Sequence, residues 1–158
     1  MTTFRPSSCL DARHVIVGLP PADRDEVLRA FVDRLVAAGA FPEAAGTSVL
    51  RAVLKRERVG STGVGRGIAI PHAKTSAVER PIVAFARIAE PIPYGATDGA
   101  DVHSLFLVVS PAESGDIHVA ILKWIASIAR SDYYSKVLRN TSDPASLHSL
   151  FLETDGQG

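Results

Sequence analysis

The sequence predicts an α/β protein, a single layered domain in which a mixed β-sheet carries α-helices on both faces. Amphipathic helical stripes occur in the first and last thirds of the chain, with short strand patterns between them. One strand pattern is largely apolar, with a continuous apolar run, which is typical of a sheet covered on both sides. The 158 residues fit one domain, 1–158, with a core expected over about 10–152.

The N-terminal part is predicted to contain one strand and two helices. Residues 14–18 form a short apolar strand pattern before a double proline. A helix follows, because apolar residues recur at helical spacing until Gly39, its expected end. The stripe consists of Val27, Leu28, Phe31, Val32, Leu35 and Val36. A second helix is expected to begin with Thr47 or Ser48 as N-cap and to bury the apolar residues between 49 and 54.

The middle of the chain predicts strands separated by turns. Residues 60–67 are rich in glycine, and 68–70 form a short apolar strand. Residues 82–88 are a second strand and 102–109 a third, with a turn at Asp98-Gly99 between them. The third strand is the continuously apolar one.

The C-terminal third is predicted to be helical. One helix is expected over about 116–130, with Ile117, Ala120, Ile121, Trp124, Ile125 and Ile128 on its apolar face. A shorter helix is capped by Ser131 or Asp132 and is expected to bury Tyr134, Val137 and Leu138. The last helix begins at Asp143-Pro144, with proline at the favoured first helical position.

Composition excludes several classes of protein. Lys plus Arg and Asp plus Glu each number 17, so the basic surplus of a nucleic-acid-binding protein is missing. The single Cys9 cannot form an internal disulfide and suits a reducing compartment. The first residues lack the apolar region of a signal peptide, and the longest apolar run, 105–109, is far below the roughly 20 residues that span a bilayer. We expect a soluble, cytoplasmic protein.

Residues 56–74, which read RERVGSTGVGRGIAIPHAK, carry the candidate chemistry. Four glycines within eight residues, beside Ser61 and Thr62, let a backbone approach a ligand and expose its N–H groups, as a phosphate requires. The spacing matches neither a Walker A loop nor a dinucleotide fingerprint. Taken alone, a series of turns explains this loop equally well.

His72 directly follows a buried strand and Pro71, where a sheet delivers a side chain to its rim. Neutral imidazole is a competent nitrogen nucleophile near neutral pH. Arg56, Lys74 and backbone N–H groups are suited to meet the negative charge of a phosphoryl group on it. On chemistry alone, a packed or solvent-exposed histidine remains the alternative interpretation.

The segment strongly resembles the active-site signature of the EIIA domain, fructose/mannitol and nitrogen-regulatory type, of the bacterial phosphoenolpyruvate-dependent sugar phosphotransferase system. The family pattern runs roughly Arg-Glu, a spacer, Gly-Ser-Thr-Gly, then Gly-Ile-Ala-Ile-Pro-His-Gly-Lys, and nearly all of it stands at 56–74. The resemblance implies that His72 is phosphorylated, that Arg56 stabilises phosphate charge, and that His118 orients or hydrogen-bonds the group. The candidate phosphate-binding residues are Gly60, Ser61, Thr62, Gly63, Gly65, Gly67 and Lys74.

Three residues depart from the family pattern. Ala73 replaces a glycine and adds only a methyl group, so we expect it to leave the chemistry intact. Arg66 replaces an asparagine, and we expect it to add positive charge beside the phosphate site. His103 stands where many members have an acidic residue. None of the three removes the nucleophile.

The resemblance implies a phosphotransferase that takes phosphate from a phosphohistidine carrier protein (HPr-like). It passes the phosphate to an EIIB-type acceptor or uses it as a regulatory switch, without a cofactor or a metal. A phosphorylation-independent regulatory binding module is the alternative, and the 158 residues, with no EIIB or membrane segment, favour a regulatory role over dedicated transport. A metal-dependent hydrolase built from His72, His103 and His118 is a weaker alternative, because it lacks an acidic general base at conventional spacing.

Overall fold

The computed structural model describes residues 4–154, and its centre is a mixed sheet. The strands are β1 (Leu10–Leu19), β2 (Gly63–Gly65), β3 (Ile68–Ala69), β4 (His72–Lys74), β5 (Ile82–Ile92) and β6 (Val102–Ser110). Their order is β1-β5-β6-β3-β2, with β4 also paired to β6. Strand β5 is antiparallel to β6, whereas β3 and β4 run parallel to β6, one after the other along its second edge. All four strands predicted from the sequence are present, and β1 and β5 extend beyond their predicted ends.

Five α-helices follow a short 3-10 helix at Pro6–Cys9 in the described residues. They are α1 (Arg24–Ala37), α2 (Glu43–Val59), α3 (Gly115–Ala129), α4 (Asp132–Asn140) and α5 (Pro144–Glu153). The predicted cap of α4 and the predicted start of α5 are confirmed: Ser131 accepts a hydrogen bond from Tyr134 N, and Asp143, before Pro144, accepts one from Ala145 N. In α4, however, only Leu138 of the three expected core residues is buried. None of the helices within 4–154 is long and apolar enough to span a membrane.

The predicted start of α2 is wrong, because the helix begins four residues before Thr47, after Pro42. Thr47 lies inside the helix, and its hydroxyl donates to the carbonyl of Glu43 rather than capping. Gly46, inside α2, is a packing position: a Cβ there would lie 2.5 Å from Val36 Cγ2 of α1. The glycine lets the two helices approach closely.

Two apolar cores lie on opposite faces of the sheet, which confirms the predicted architecture. Leu105, Leu107 and Val109 of β6 join the core formed with α1 and α2. Phe106 and Val108 join the core formed with α3, α4 and α5. Alternate residues of a strand point to opposite faces, so the run 105–109 of β6 is continuously apolar because each face packs against helices. All nine of its residues are buried.

Candidate active site

His72 is the first residue of β4 and pairs with Val108 of β6. The residues before it, Ile70 and Pro71, are buried, whereas the His72 side chain is half-buried at the edge of the core. Its Nδ1 lies 2.7 Å from the carbonyl oxygen of Ile70. A carbonyl only accepts hydrogen bonds, so the neutral ring carries its proton on Nδ1. The lone pair is therefore on Nε2.

His118 lies in the first turn of α3 and faces His72. The two ring centroids are 5.7 Å apart, with the planes tilted by 53°. His118 is buried, and its Nδ1 is 2.8 Å from the hydroxyl of Ser110, the last residue of β6. Burial, together with the nearby His72 and Lys74, lowers the pKa of His118 to about 4. His118 is therefore uncharged near neutral pH.

The two histidines share a cavity of about 620 Å³ with three basic side chains. Its lining residues are Ala52, Lys55, Arg56, Val59, His72, Ala73, Lys74, His118 and Leu122. Arg56 donates from Nη1 to the carbonyl oxygen of Gly60 at 2.7 Å, which fixes the guanidinium at the end of α2. Within the described residues, no acidic side chain lines this cavity. The site thus combines a nitrogen lone pair with concentrated positive charge.

Ser61 and Thr62 direct their hydroxyl groups into the protein. Thr62 donates its backbone N–H to the Glu57 carboxylate at 3.1 Å, and its hydroxyl also bonds that carboxylate. Tyr94 donates to the same carboxylate at 2.8 Å, while Ser61 donates to the carbonyl oxygen of Tyr94 at 2.8 Å. The loop is therefore anchored by a buried Glu57, and these groups are engaged within the fold.

Glu57 and Tyr94 were not singled out from the sequence. A signal was present, because Glu57 continues the buried spacing of Val49 and Val53 along α2. A carboxylate at a core-facing position needs hydrogen-bond partners, and the loop that follows supplies them.

Gly65 and Gly67 lie at the other end of β6. The carbonyl oxygen of Gly67 accepts from His103 N at 2.8 Å, and β3 begins opposite Ser104, four residues before the partner of His72. Four residues of a strand span about 13 Å. Gly63 is nearer to His72 than these two glycines are, but it pairs with Ala69 inside the hairpin of β2 and β3. The structure thus brings Arg56, Gly60, Lys74 and His118 towards His72 and separates Gly65 and Gly67 from it.

The expectation that Arg66 adds charge beside the phosphate site is wrong. Arg66 lies in a second cavity, of about 560 Å³, together with His103. Its Nε donates to Asp132 at 2.7 Å, so the guanidinium is paired. Burial and the nearby Arg139 lower the pKa of His103 to about 4. Because β6 separates His103 from the other two histidines, and no group of three ligand residues stands together within 4–154, the geometry gives the hydrolase alternative no site.

A family model decides what this site belongs to. The model described as "Phosphoenolpyruvate-dependent sugar phosphotransferase system, EIIA 2" matches residues 8–154. The chain belongs to this family. The EIIA chain is 40% identical over 124 residues to the fructose-specific EIIA component of Haloferax volcanii, covering 78% of this chain and 79% of the relative. It is 30% identical over 139 residues to the nitrogen regulatory protein of Pseudomonas aeruginosa, covering 87% and 88%.

Solved structures show the same fold. The nitrogen regulatory protein IIA-Ntr of Neisseria meningitidis matches with a TM-score of 0.82 at 23% identity, over 92% of this EIIA chain and 97% of that one. An Escherichia coli complex of enzyme IIA for mannitol with phosphorylated enzyme IIB matches with a TM-score of 0.75 at 18% identity, over 90% and 96%. The α/β fold inferred from the sequence is therefore the EIIA fold.

Proposed function

We propose that His72 accepts a phosphoryl group on Nε2 from a phosphohistidine of an HPr-like carrier protein. The phosphorus–nitrogen bond of the donor breaks as the bond to Nε2 forms, and the donor imidazole recovers its electron pair. Because one imidazole replaces another, no net proton release is required. The hydrogen bond between His72 Nδ1 and the Ile70 carbonyl carries this proposal, since it leaves the lone pair on Nε2.

The cations of the cavity stabilise the charge that moves with the phosphoryl group. Transfer through a loose transition state depends on position and charge stabilisation more than on acid–base catalysis. Arg56 and Lys74 line the cavity and meet the phosphoryl oxygens in the proposal, while Gly60 holds Arg56 through its carbonyl. The hydroxyl groups of Ser61 and Thr62 bond Tyr94 and Glu57, and Gly63 donates its N–H to the Ser61 hydroxyl, so in the proposal these residues position the loop rather than bind the phosphoryl oxygens.

His118 contributes as an uncharged hydrogen-bond donor. When its Nδ1 accepts from the Ser110 hydroxyl, the proton stands on Nε2 and is available to a phosphoryl oxygen. The lowered pKa of His118 keeps the ring neutral, so it does not trap the phosphoryl group as a fixed ion pair.

The phosphoryl group then passes to an EIIB-type acceptor or changes which regulatory protein binds. The mannitol relative is seen in a complex with phosphorylated enzyme IIB, and several relatives are named nitrogen regulatory proteins. On this chain Val59 lines the cavity and is 83% exposed, so a partner that covers the rim would contact it. The proposal places the exchange in the cytoplasm, as expected from the sequence.

Intact-mass measurement tests this function. The protein is incubated with phosphoenolpyruvate, enzyme I and an HPr-type carrier, alongside His72→Ala and His103→Ala. We expect an acid-labile gain of one phosphoryl group in the wild type and in His103→Ala, and none in His72→Ala. A gain that persists in His72→Ala would refute the assignment of the nucleophile. No gain in the wild type with several carriers would leave the phosphorylation-independent binding module as the function.

A further inference from the structure

Helix α2 presents a row of exposed basic side chains beside the active site. Arg51, Lys55 and Arg58 are exposed and stand at spacings of four and three residues, so they share one face of the helix. From the first to the last, the row extends about 10 Å along the helix axis. It runs towards the end of α2 that bears Arg56.

A groove between α1 and α2 borders this row. It encloses about 220 Å³ and is lined by Arg29, Thr47, Leu50, Arg51, Leu54 and Arg58. Leu50 and Leu54, one turn apart, supply its apolar surface, and three arginines surround them. No acidic residue in the described part of the chain lines it. The groove therefore offers an apolar strip inside a cationic rim.

The groove and the His72 cavity form one basic surface. Lys55 lies between Arg51 and Arg58 on α2 and also lines the cavity, where Arg56 and Lys74 join it. Six of the 17 basic residues of the chain line these two depressions. The ion pairs between side chains of residues 4–154 involve Arg13, Arg24 and Arg66 instead. The cations of this surface thus form no ion pair with another side chain of the described residues, although the net charge of the chain is zero.

We infer that this α1–α2 groove docks an acidic, amphipathic segment of a partner protein, which brings the partner beside His72. Carboxylates flanking a pair of apolar side chains one turn apart would match arginines flanking Leu50 and Leu54. Single-stranded nucleic acid is the poorer match, because no aromatic side chain lines the groove to stack with bases. The inference adds the chemistry of the partner to the proposed function and rests on that function only for the role of His72.

Fluorescence anisotropy with a labelled synthetic peptide tests the docking surface. The peptide is a helix of about five turns with leucines one turn apart and glutamates at the flanking positions. We expect binding by the unphosphorylated wild type that weakens as salt rises from about 50 to about 300 mM. The double variant Arg51→Glu with Arg58→Glu should weaken binding by about tenfold or more, because like charges then face the glutamates.

The matched control is Arg34→Glu with Arg130→Glu, which makes the same change in net charge at exposed arginines outside the groove. It should change affinity by less than about threefold. Absence of peptide binding, or an equal loss in both double variants, would overturn the inference. Tighter, groove-dependent binding of a labelled DNA or RNA oligonucleotide would overturn it in favour of nucleic acid.

Circular dichroism checks that both double variants fold. If Arg51→Glu with Arg58→Glu does not fold, Arg51→Gln with Arg58→Gln takes its place. His72→Ala should retain peptide binding, because His72 does not line the groove. Absence of phosphoryl uptake by the wild type, with peptide binding intact, would contradict the proposed function alone. Absence of peptide binding by the wild type, with phosphoryl uptake intact, would contradict the docking surface alone.

Discussion

The two ends of β6 carry cavities of similar size and residue type, yet only one is suited to phosphoryl transfer. The cavity of His72 and His118 has a volume of about 620 Å³, and that of His103 about 560 Å³. Each combines histidine with basic side chains. In the His103 cavity, however, Asp101 and Asp132 are also present, and Asp132 pairs with Arg66.

The difference lies in which groups are already engaged. The His103 ring is buried against Gly67, and its Nδ1 bonds the Ser104 hydroxyl at 2.7 Å. His72 is half-exposed and bonds through Nδ1 alone among the described residues, beside cations that no acidic side chain neutralises. Histidine near arginine is therefore not sufficient for a site. An accessible lone pair and unpaired positive charge are what distinguish it.

The largest effect on stability is expected from Gly67→Ala, at the end of β6 that carries His103. Gly67 has φ +80°, and a Cβ there would lie 2.4 Å from His103 Nε2. The left-handed backbone and the clash together should lower the free energy of unfolding by about 3 kcal/mol. Urea denaturation measures the change.

Two variants serve as controls for this packing. Adding His103→Ala to Gly67→Ala removes the ring and should restore part of the lost stability. Ala73→Gly, beside His72, should cost only about 1 kcal/mol and leave phosphoryl uptake intact. If Gly67→Ala is as mild as Ala73→Gly, the ring of His103 is not packed on Gly67 as described.

Replacing one arginine at each end of β6 shows how differently the two ends affect the rate of phosphoryl uptake. Arg56→Ala should slow phosphoryl uptake by about 10- to 100-fold, because it removes an oriented cation from the transition state. Arg66→Ala should leave uptake within about threefold of the wild type, since Asp132 already pairs with Arg66. Rapid-quench measurement of transfer from the carrier protein gives both rates. Equal slowing in the two variants would contradict the difference between the cavities.

The pH dependence of stability should be similar at the two ends. Burial lowers the pKa of both His118 and His103 to about 4, below the 6.5 of an exposed histidine. As pH falls from about 6.5 to about 4, the unfolded chain binds these protons first, so stability is lost over this window. His118→Gln and His103→Gln should each flatten the dependence of unfolding free energy on pH. An unchanged slope in both variants would show that neither ring is kept neutral by burial.

The smallest expected effect is that phosphorylation of His72 weakens the binding of the acidic peptide to the groove. Phosphorylated His72 adds about two negative charges beside Lys55, which lines the His72 cavity and shares one face of α2 with Arg51 and Arg58 of the groove. The acidic peptide should therefore bind the phosphorylated protein about threefold more weakly than the unmodified protein. Anisotropy before and after phosphorylation measures this. Tighter binding after phosphorylation would contradict the shared electrostatics.

Much of the fold follows from local patterns in the sequence. The stripe of α1, the Asp143-Pro144 start of α5 and the apolar β6 each have a direct physical cause. The start of α2 was missed because Gly46 reads as a break in sequence and only its packing on Val36 explains it. A glycine required by a neighbouring helix looks the same in a sequence as one that ends a helix.

The candidate site, like the fold, could be predicted from the sequence only in part. His72 was found because a strand and proline place it at a rim, and the resemblance supplied His118. Arg66 was misplaced because it stands six residues from His72 in sequence, whereas the pairing of β3 and β4 with β6 sends the two to opposite ends. Neighbourhood along the chain does not predict strand register, and register decides which charges meet the phosphate.

The assignment of Nε2 as the phosphorylated atom is tested most directly by a long-range ¹H–¹⁵N correlation spectrum of the histidine rings, recorded before and after phosphorylation. We expect His72 to carry its proton on Nδ1 in the free protein and its phosphoryl group on Nε2 afterwards. His103 should show no bonded phosphorus in either state. A phosphoryl group on Nδ1 of His72, or on any other histidine, would contradict the claim that the Ile70 carbonyl selects the nucleophilic nitrogen.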